Sequence, residues 1–328
     1  MKKFIKLALG IVLTTLFLWL VFRRISLAEI KAAFSNTKPL LLVAAVFFFY
    51  IGYSCRIERW RLMLNWDNPK LGWRNCAGPL MASVATNNLL PFRTGDLLRA
   101  FGFNRRLGIS AATSATTLVV ERLLDLLMVA TFLGIALAYF GMESSSFIGV
   151  GGTFIIAGVI IVLFLLLFSS LFKPISLWSG RYVAKLSPKL SEKLLSEIHK
   201  VFSAMEHMTR GYTMLKLISW SMLAWLSEGF VFWLSALALP SIHYPLAAWM
   251  ALPIGTLVTV IPSTPGYVGT FDFFTAHAMI ILGNTPTAAT AYALLVHVLL
   301  WLPPTIIGGL YLLLYPVKQQ NKLKAISS

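Results

Sequence analysis

The chain has 328 residues, of which 58% are hydrophobic and only 12% charged, and it carries a formal net charge of +16. A soluble domain holds about twice that share of charge, so a water-exposed globular protein is excluded, in line with a mean hydropathy of +0.77. The positive charge does not call for nucleic acid as a partner, because the basic residues sit at helix ends and in loops and no binding motif accompanies them.

In chain order, apolar runs occur at residues 4–22, 40–55, 111–140, 148–172, 217–239 and 285–316, with weaker ones at 76–90 and 246–282. A helix of roughly 20 apolar residues crosses a hydrocarbon core of about 30 Å. The pattern predicts an all-α, polytopic membrane protein of roughly six to eight transmembrane helices, as a single domain over residues 1–328. The N-terminal run mimics a signal peptide. It is too long for one, however, and Arg23-Arg24 stand where a small-residue cleavage site would be, so it is read as a retained first helix. Arg56, Arg59, Trp60 and Arg61 follow the second run and read as an interfacial anchor with a tryptophan at headgroup level. Cys55 and Cys76 make no disulfide framework.

Two segments interrupt the apolar pattern. The first is Pro91-Phe92-Arg93-Thr94-Gly95-Asp96-Leu97-Leu98-Arg99, and its weaker echo runs from Pro265 and Gly266 through Gly269 to Asp272. Lipid cannot satisfy open backbone, so such breaks survive only inside protein or beside a watery cavity. Their occurrence in both halves, about 1–140 and 148–316, points to inverted repeats with a transport site at the breaks. The connection 173–216 is dense in lysine and arginine, whereas 141–147 and 240–246 hold neither. This places the long connection and the C-terminal tail in the cytoplasm of a bacterial or archaeal plasma membrane. Apolar residues at spacings of three and four (Leu194, Ile198, Val201, Met205, Met208) predict an amphipathic helix within it, lying on the inner membrane surface or packed on another loop. Re-entrant hairpins at the two breaks, opening to opposite faces, keep the basic residues after Pro91 on the cytoplasmic side. Arg23, Arg24, Lys31 and Lys38 then fall outside, against the charge rule.

Glu121, Arg122 and Asp125 lie mid-run in the third strongly apolar segment, with the two carboxylates four apart on one helix face. Ionisable groups at membrane depth are costly unless paired, and mark function by default. They either bind a ligand or pin helices together. From Leu217 to Val317 there is no lysine or arginine, yet Glu228 and Asp272 lie there. Each needs a proton, a bound cation or an arginine from the first half, the candidates being Arg93, Arg99 and Arg122. Arginine suits phosphate through its planar fork. Arg93 and Arg99 can converge on a ligand in the break, where a half-helix starting near Gly95 would add backbone amides. Asp96 belongs to the same break, and Asn87 and Asn88 before it either contact ligand or satisfy the broken backbone. The five histidines, His297 included, are scattered and give no metal signal, and no nucleotide-binding or hydrolase motif occurs. No cofactor, metal or catalytic residue is expected.

These pieces together resemble the integral-membrane flippase domain of lysylphosphatidylglycerol synthases, which also occurs as stand-alone proteins. The resemblance rests on the Arg56/Arg59-Trp60 region, P-x-R-x-G-[DE]-x-x-R from Pro91 to Arg99, E-R-x-x-D from Glu121 to Asp125, and P-G-x-x-G-x-F-[DE] from Pro265. Asp96 and Asp272 stand where the family more often has Glu. The resemblance implies translocation of a phosphate-bearing lipid between leaflets. The cargo would be an aminoacylated or other phospholipid, or a polyprenyl-phosphate-linked sugar. A soluble synthase domain is not expected within these 328 residues, so the resemblance implies translocation without synthesis. The rival expectations are an intramembrane transferase using Glu121 and Asp125, and a non-transporting partner of a lipid- or glycan-synthesising enzyme. The oligomeric state is left open.

Overall fold

The computed structural model describes residues 27–90, 93–141, 200–209, 211–259 and 265–316, with positions 158, 160 and 161. The run at 4–22, Pro91, most of 148–172, residues 173–199 and the basic tail lie outside the described residues. Within them the protein is all-α, with no strand.

A short α1 (Leu27–Ala33) leads into α2 (Pro39–Leu64), whose first position is a proline with no N–H to lose. Next come α3 (Trp73–Leu89), the one-turn α4 (Thr94–Leu97), a π-helical turn at Leu98–Gly102, and the one-turn α5 (Asn104–Leu107). The long α6 (Ala111–Tyr139) starts at Ser110, whose hydroxyl accepts from the Thr113 amide at 3.0 Å. The second half also sets shorter elements between two long helices. A long α7 (Gly211–Ala238) is followed by α8 (Ala248–Val258), a 3₁₀ turn at Pro265–Tyr267 and α9 (Thr270–Ile281). Last is α10 (Pro286–Leu314), capped by Thr285.

Three helices, α2, α7 and α10, are long and apolar enough to span a bilayer. Helix α6 is equally long, but Glu121, Arg122 and Asp125 interrupt its apolarity. This is an integral membrane protein.

Each break turns the chain back on itself. After α3, Gly95 is pressed against the preceding helix so closely that a Cβ there would lie 1.9 Å from the Ser83 carbonyl oxygen. Ser83 Oγ donates to the Gly95 carbonyl at 2.8 Å, which locks the return. The chain comes back beside its entry point, where Asn68 Nδ2 donates to the Leu107 carbonyl at 2.8 Å. The second hairpin closes at its own mouth: Asn284 Oδ1 accepts from the Tyr244 amide at 3.0 Å, and Asn284 Nδ2 donates to the Tyr244 carbonyl at 3.2 Å. The two mouths lie at opposite ends of α2 and α7. Lys38, at the start of α2, donates its amide to Ala238, at the end of α7 and near Tyr244, at 2.9 Å, while Asn68 follows the far end of α2.

The halves interlock. Helix α2 packs along α7, α3 along α10 and α8 along α6, so each hairpin lies on the last long helix of the other half. One apolar core joins α6 to α10 through residues such as Phe132, Phe232, Met250 and Tyr292. A second gathers Ile57, Trp60, Cys76, Phe103 and Leu124, and includes Ala204 and Met208. The described part of the amphipathic connection, 200–209, therefore turns its apolar side onto protein, with His207 against the Trp66 ring at 4.3 Å.

Candidate functional site

The tips of the two hairpins meet. Arg93 Nε donates to the Tyr267 hydroxyl at 2.9 Å and Arg93 Nη2 to the Thr259 carbonyl at 2.8 Å. Both tip residues hold positive φ, 50° at Arg93 and 61° at Tyr267. The left-handed region costs a non-glycine residue of order 1 kcal/mol, and such strain persists where the surroundings over-determine it, often at functional sites.

Beside this contact lies a cavity of about 390 Å³, lined by residues from both halves. Its charged and titratable walls are Arg56, Arg93, Arg122, Asp125, Glu228 and His297, with Tyr53, Trp225, Tyr267 and Trp301 among the aromatic ones. A volume of this size suits a small ligand or headgroup.

In and behind the cavity wall the charges pair across helices. Arg59 is 1% exposed, and its Nη1 donates to Asp125 Oδ1 and to Ser221 Oγ, each at 2.9 Å. Arg99 Nη2 donates to Glu121 Oε1 at 2.9 Å, with its guanidinium 5.4 Å from the Trp60 ring centre. Arg122 lies within 4 Å of three carboxylates: Glu121 at 3.1 Å, Asp125 at 3.6 Å and Asp96 at 3.9 Å. Arg56 donates to Glu228 in a tight ion pair. Burial of so many ions is tolerable because each of these carboxylates lies within 4 Å of an arginine. Arg93 is the exception, since its partners among the described residues are a hydroxyl, a carbonyl and the Tyr267 ring face, but no carboxylate.

Several sequence expectations need correcting. Arg56, Arg59 and Trp60 are not an interfacial anchor. Trp60 is fully buried and donates to Thr117 Oγ1 at 3.2 Å, because Glu121, Asp125 and Glu228 draw the arginines inward. The cation for Glu228 does come from the first half, but it is Arg56. Among the described residues, Asp272 takes no arginine. It is 1% exposed, accepts the Gly269 amide at 2.8 Å as a cap of α9, and meets His297 Nδ1 at 2.8 Å. Arg93 and Arg99 do not converge, since Glu121 holds Arg99 behind the cavity while Arg93 lines it. The Gly95 amide is not free for a ligand, because it already donates to Asn87 Oδ1 at 2.8 Å. Asn87 also donates to Asp96 Oδ1 at 2.9 Å, and Asn88 ties the tip to α10 through Thr305 Oγ1 at 2.8 Å.

Of the residues singled out from sequence, Asn88, Arg93, Arg122, Asp125, Glu228 and Gly266 line the cavity, whereas Asp96, Arg99, Glu121, Gly269 and Asp272 stand behind it. Pro265 begins the 3₁₀ turn of the second break. Sequence reasoning missed Arg56, Tyr267 and His297. The one available signal for His297 was its place in an apolar run without lysine or arginine. No cluster of metal ligands occurs among the described residues.

The fold and site define an all-α integral membrane protein with a charged cavity where two opposed broken-helix hairpins meet. A family model described as the lysylphosphatidylglycerol synthase TM region matches residues 7–308, and the chain belongs to that family. It is 27% identical to the glycosyltransferase AglD of Haloferax volcanii over 92% of this chain, but spans only 53% of that relative's length. It is 22% identical to a UPF0104 membrane protein of Methanocaldococcus jannaschii, covering 95% of this chain and 96% of the relative. A UPF0104 protein of Methanothermobacter thermautotrophicus is 24% identical over 80% of this chain.

Proposed function

We propose that the protein translocates a phosphate-bearing lipid between the leaflets of its membrane, with the headgroup passing through the central cavity while the tails stay in hydrocarbon. The observation that carries this reading is Arg93: a guanidinium facing the cavity without a carboxylate partner among the described residues, held between two chain breaks. An unpaired cation at membrane depth is expensive, and a phosphate would neutralise it with parallel hydrogen bonds. Arg56 and Arg122 on the same wall add positive potential, while Glu228 and Asp125 keep the empty site close to neutral. The two halves are read as inverted repeats, and the mouth bearing Lys70, Arg105 and Arg106 as cytoplasmic.

The test is transport in proteoliposomes, following chemical quenching of a fluorescent phosphatidylglycerol. Arg93→Gln should reduce exchange at least about tenfold, as expected for loss of a charge-assisted pair, in protein that still elutes as a single folded species. Wild-type rates in that variant would remove the cavity from the pathway.

The glycosyltransferase name of the Haloferax volcanii relative keeps a polyprenyl-phosphate-linked sugar in view as cargo. An intramembrane transferase would need a free carboxylate as base. Both carboxylates that line the cavity are held by arginines, which favours transport. Whether a lipid- or glycan-synthesising enzyme associates with the chain is open to pull-down.

A further inference from the structure

His297 bridges two acceptors. Its Nδ1 lies 2.8 Å from Asp272 Oδ1 and its Nε2 lies 2.9 Å from the Gly266 carbonyl oxygen. A carbonyl can only accept, so Nε2 must carry hydrogen. A neutral ring has one N–H, which leaves Nδ1 a bare lone pair facing a carboxylate. The contact at Nδ1 then needs one more proton, placed on the ring or on Asp272. Without it either the Asp272 contact or the Gly266 contact becomes repulsive and opens.

The consequence reaches the anion site. Gly266 precedes Tyr267, whose hydroxyl accepts from Arg93, so the His297 bond holds the tip that positions Arg93. The charge count agrees. Five arginines (Arg56, Arg59, Arg93, Arg99, Arg122) meet five carboxylates (Asp96, Glu121, Asp125, Glu228, Asp272) around the cavity. With a proton on the Asp272–His297 pair, one carboxylate is cancelled and the net charge is five minus four, or +1. Without the proton it is zero.

We propose that Asp272 and His297 form a proton-binding site that is filled together with a singly charged phosphodiester in the central cavity. This rests on the anion reading of that cavity. The charged groups that face the pair from the packed helices are already tied: Arg56 to Glu228 between α2 and α7, and Arg122 to Asp125 on α6. Helices α3 and α8 present only uncharged Asn88, Thr256 and Thr259. Tyr53 and Tyr267 are the remaining titratable neighbours, and Arg93 alone changes partner when an anion arrives. Raising the pH removes the proton, frees the tip and adds a negative charge beside the anion, so both effects weaken binding in the same direction. By linkage, anion binding draws in one proton, and bound cargo plus proton is neutral at Arg93.

Titration of purified protein in nanodiscs with dihexanoyl phosphatidylglycerol, whose phosphodiester keeps one charge from about pH 5 to about pH 9, tests this. Calorimetry in buffers of different ionisation enthalpy counts the protons. The wild type should take up one proton per lipid at the alkaline end, with Kd rising about tenfold per pH unit there. His297→Gln should bind with no proton uptake and a flat pH profile. Asp272→Asn, whose amide can donate to the bare ring nitrogen and keep the tip tied, should be flat as well. A purely structural role would shift Kd equally at all pH values. Binding without linked protons in the wild type, or an unchanged slope in both variants, overturns the proposal. Failure to bind at any pH would sink the cavity reading instead, and ¹⁵N ring spectra of His297 in unliganded protein still decide the proton site. At the acid end, a ring with hydrogen on both nitrogens, or a neutral ring whose Nδ1 accepts an acid proton from Asp272, supports it, while a neutral ring bare at Nδ1 beside an ionised Asp272 refutes it.

Discussion

Arg93 and Arg59 are two arginines of one site with opposite expected phenotypes. Arg59 is enclosed and compensates Asp125 and, at 4.0 Å, Glu121. Replacing it with Met takes the nearest cation from Asp125 and leaves only Arg122 at 3.6 Å, and loss of one partner of a buried ion pair costs up to about 3–5 kcal/mol. Arg59→Met should therefore lower the unfolding midpoint in detergent well below wild type. Arg93→Gln removes no carboxylate's partner among the described residues and should change stability by no more than about 1 kcal/mol, its effect appearing in transport. Arg56 and Glu228 permit a cycle. Arg56→Met or Glu228→Gln alone should destabilise by about 2–5 kcal/mol, while the double variant recovers much of the loss because no unpaired charge remains. A double variant as unstable as the sum of the singles would show that the pair is not coupled. These pairings were only half legible in the sequence. The need for a cation at Glu228 could be read from an apolar stretch without basic residues. That Arg56 supplies it could not, because the partners lie 172 positions apart and local spacing assigned Arg56 to the nearer membrane edge.

At the scale of elements, close packing of α3 on α10 fixes where the first tip sits, and glycines set that distance. A Cβ on Gly308 would lie 2.0 Å from the Met81 carbonyl oxygen, a backbone atom that cannot rotate away, whereas a Cβ on Gly309 meets nothing within 4 Å. Gly308→Ala should part the two helices and cost about 1–3 kcal/mol, as overpacking does. Gly309→Ala should be neutral or stabilising by up to about 1 kcal/mol, since alanine has the better helix propensity. Thermal unfolding of the two variants side by side separates them, and equal melting would contradict the contact. The hairpins themselves were legible, because Pro and Gly within apolar runs leave few other solutions in lipid. The half-helix after Gly95 was not: Asn87 takes the first amide, and the helix gives way to a π turn after four residues. The amphipathic pattern at 200–209 predicted an apolar face but could not say that protein, rather than lipid, covers it.

For the whole molecule, the interlocking of hairpins makes the site a product of both halves. Arg56, Arg93 and Arg122 come from the first, and Glu228, Tyr267 and His297 from the second. Since the first-half hairpin rests on α10 and the second-half hairpin on α6, a shift of one half against the other must move both tips. That geometry suits alternating exposure of one cavity to two faces, and it requires the two mouths to open on opposite sides of the membrane. Among the described residues, the mouth that carries Lys70, Arg105 and Arg106 is richer in positive charge than the mouth at Tyr244 and Asn284, near which Lys31 and Lys38 sit. The charge rule therefore predicts that the first mouth faces the cytoplasm. Lys70→Cys and His243→Cys place one thiol at each mouth, and the native Cys55 and Cys76 are buried and should stay silent. A membrane-impermeant maleimide should label the His243 position in intact cells and the Lys70 position only in inverted vesicles. Labelling of both positions from one side would refute the opposed hairpins, and the reverse pattern would invert the orientation while leaving the fold intact.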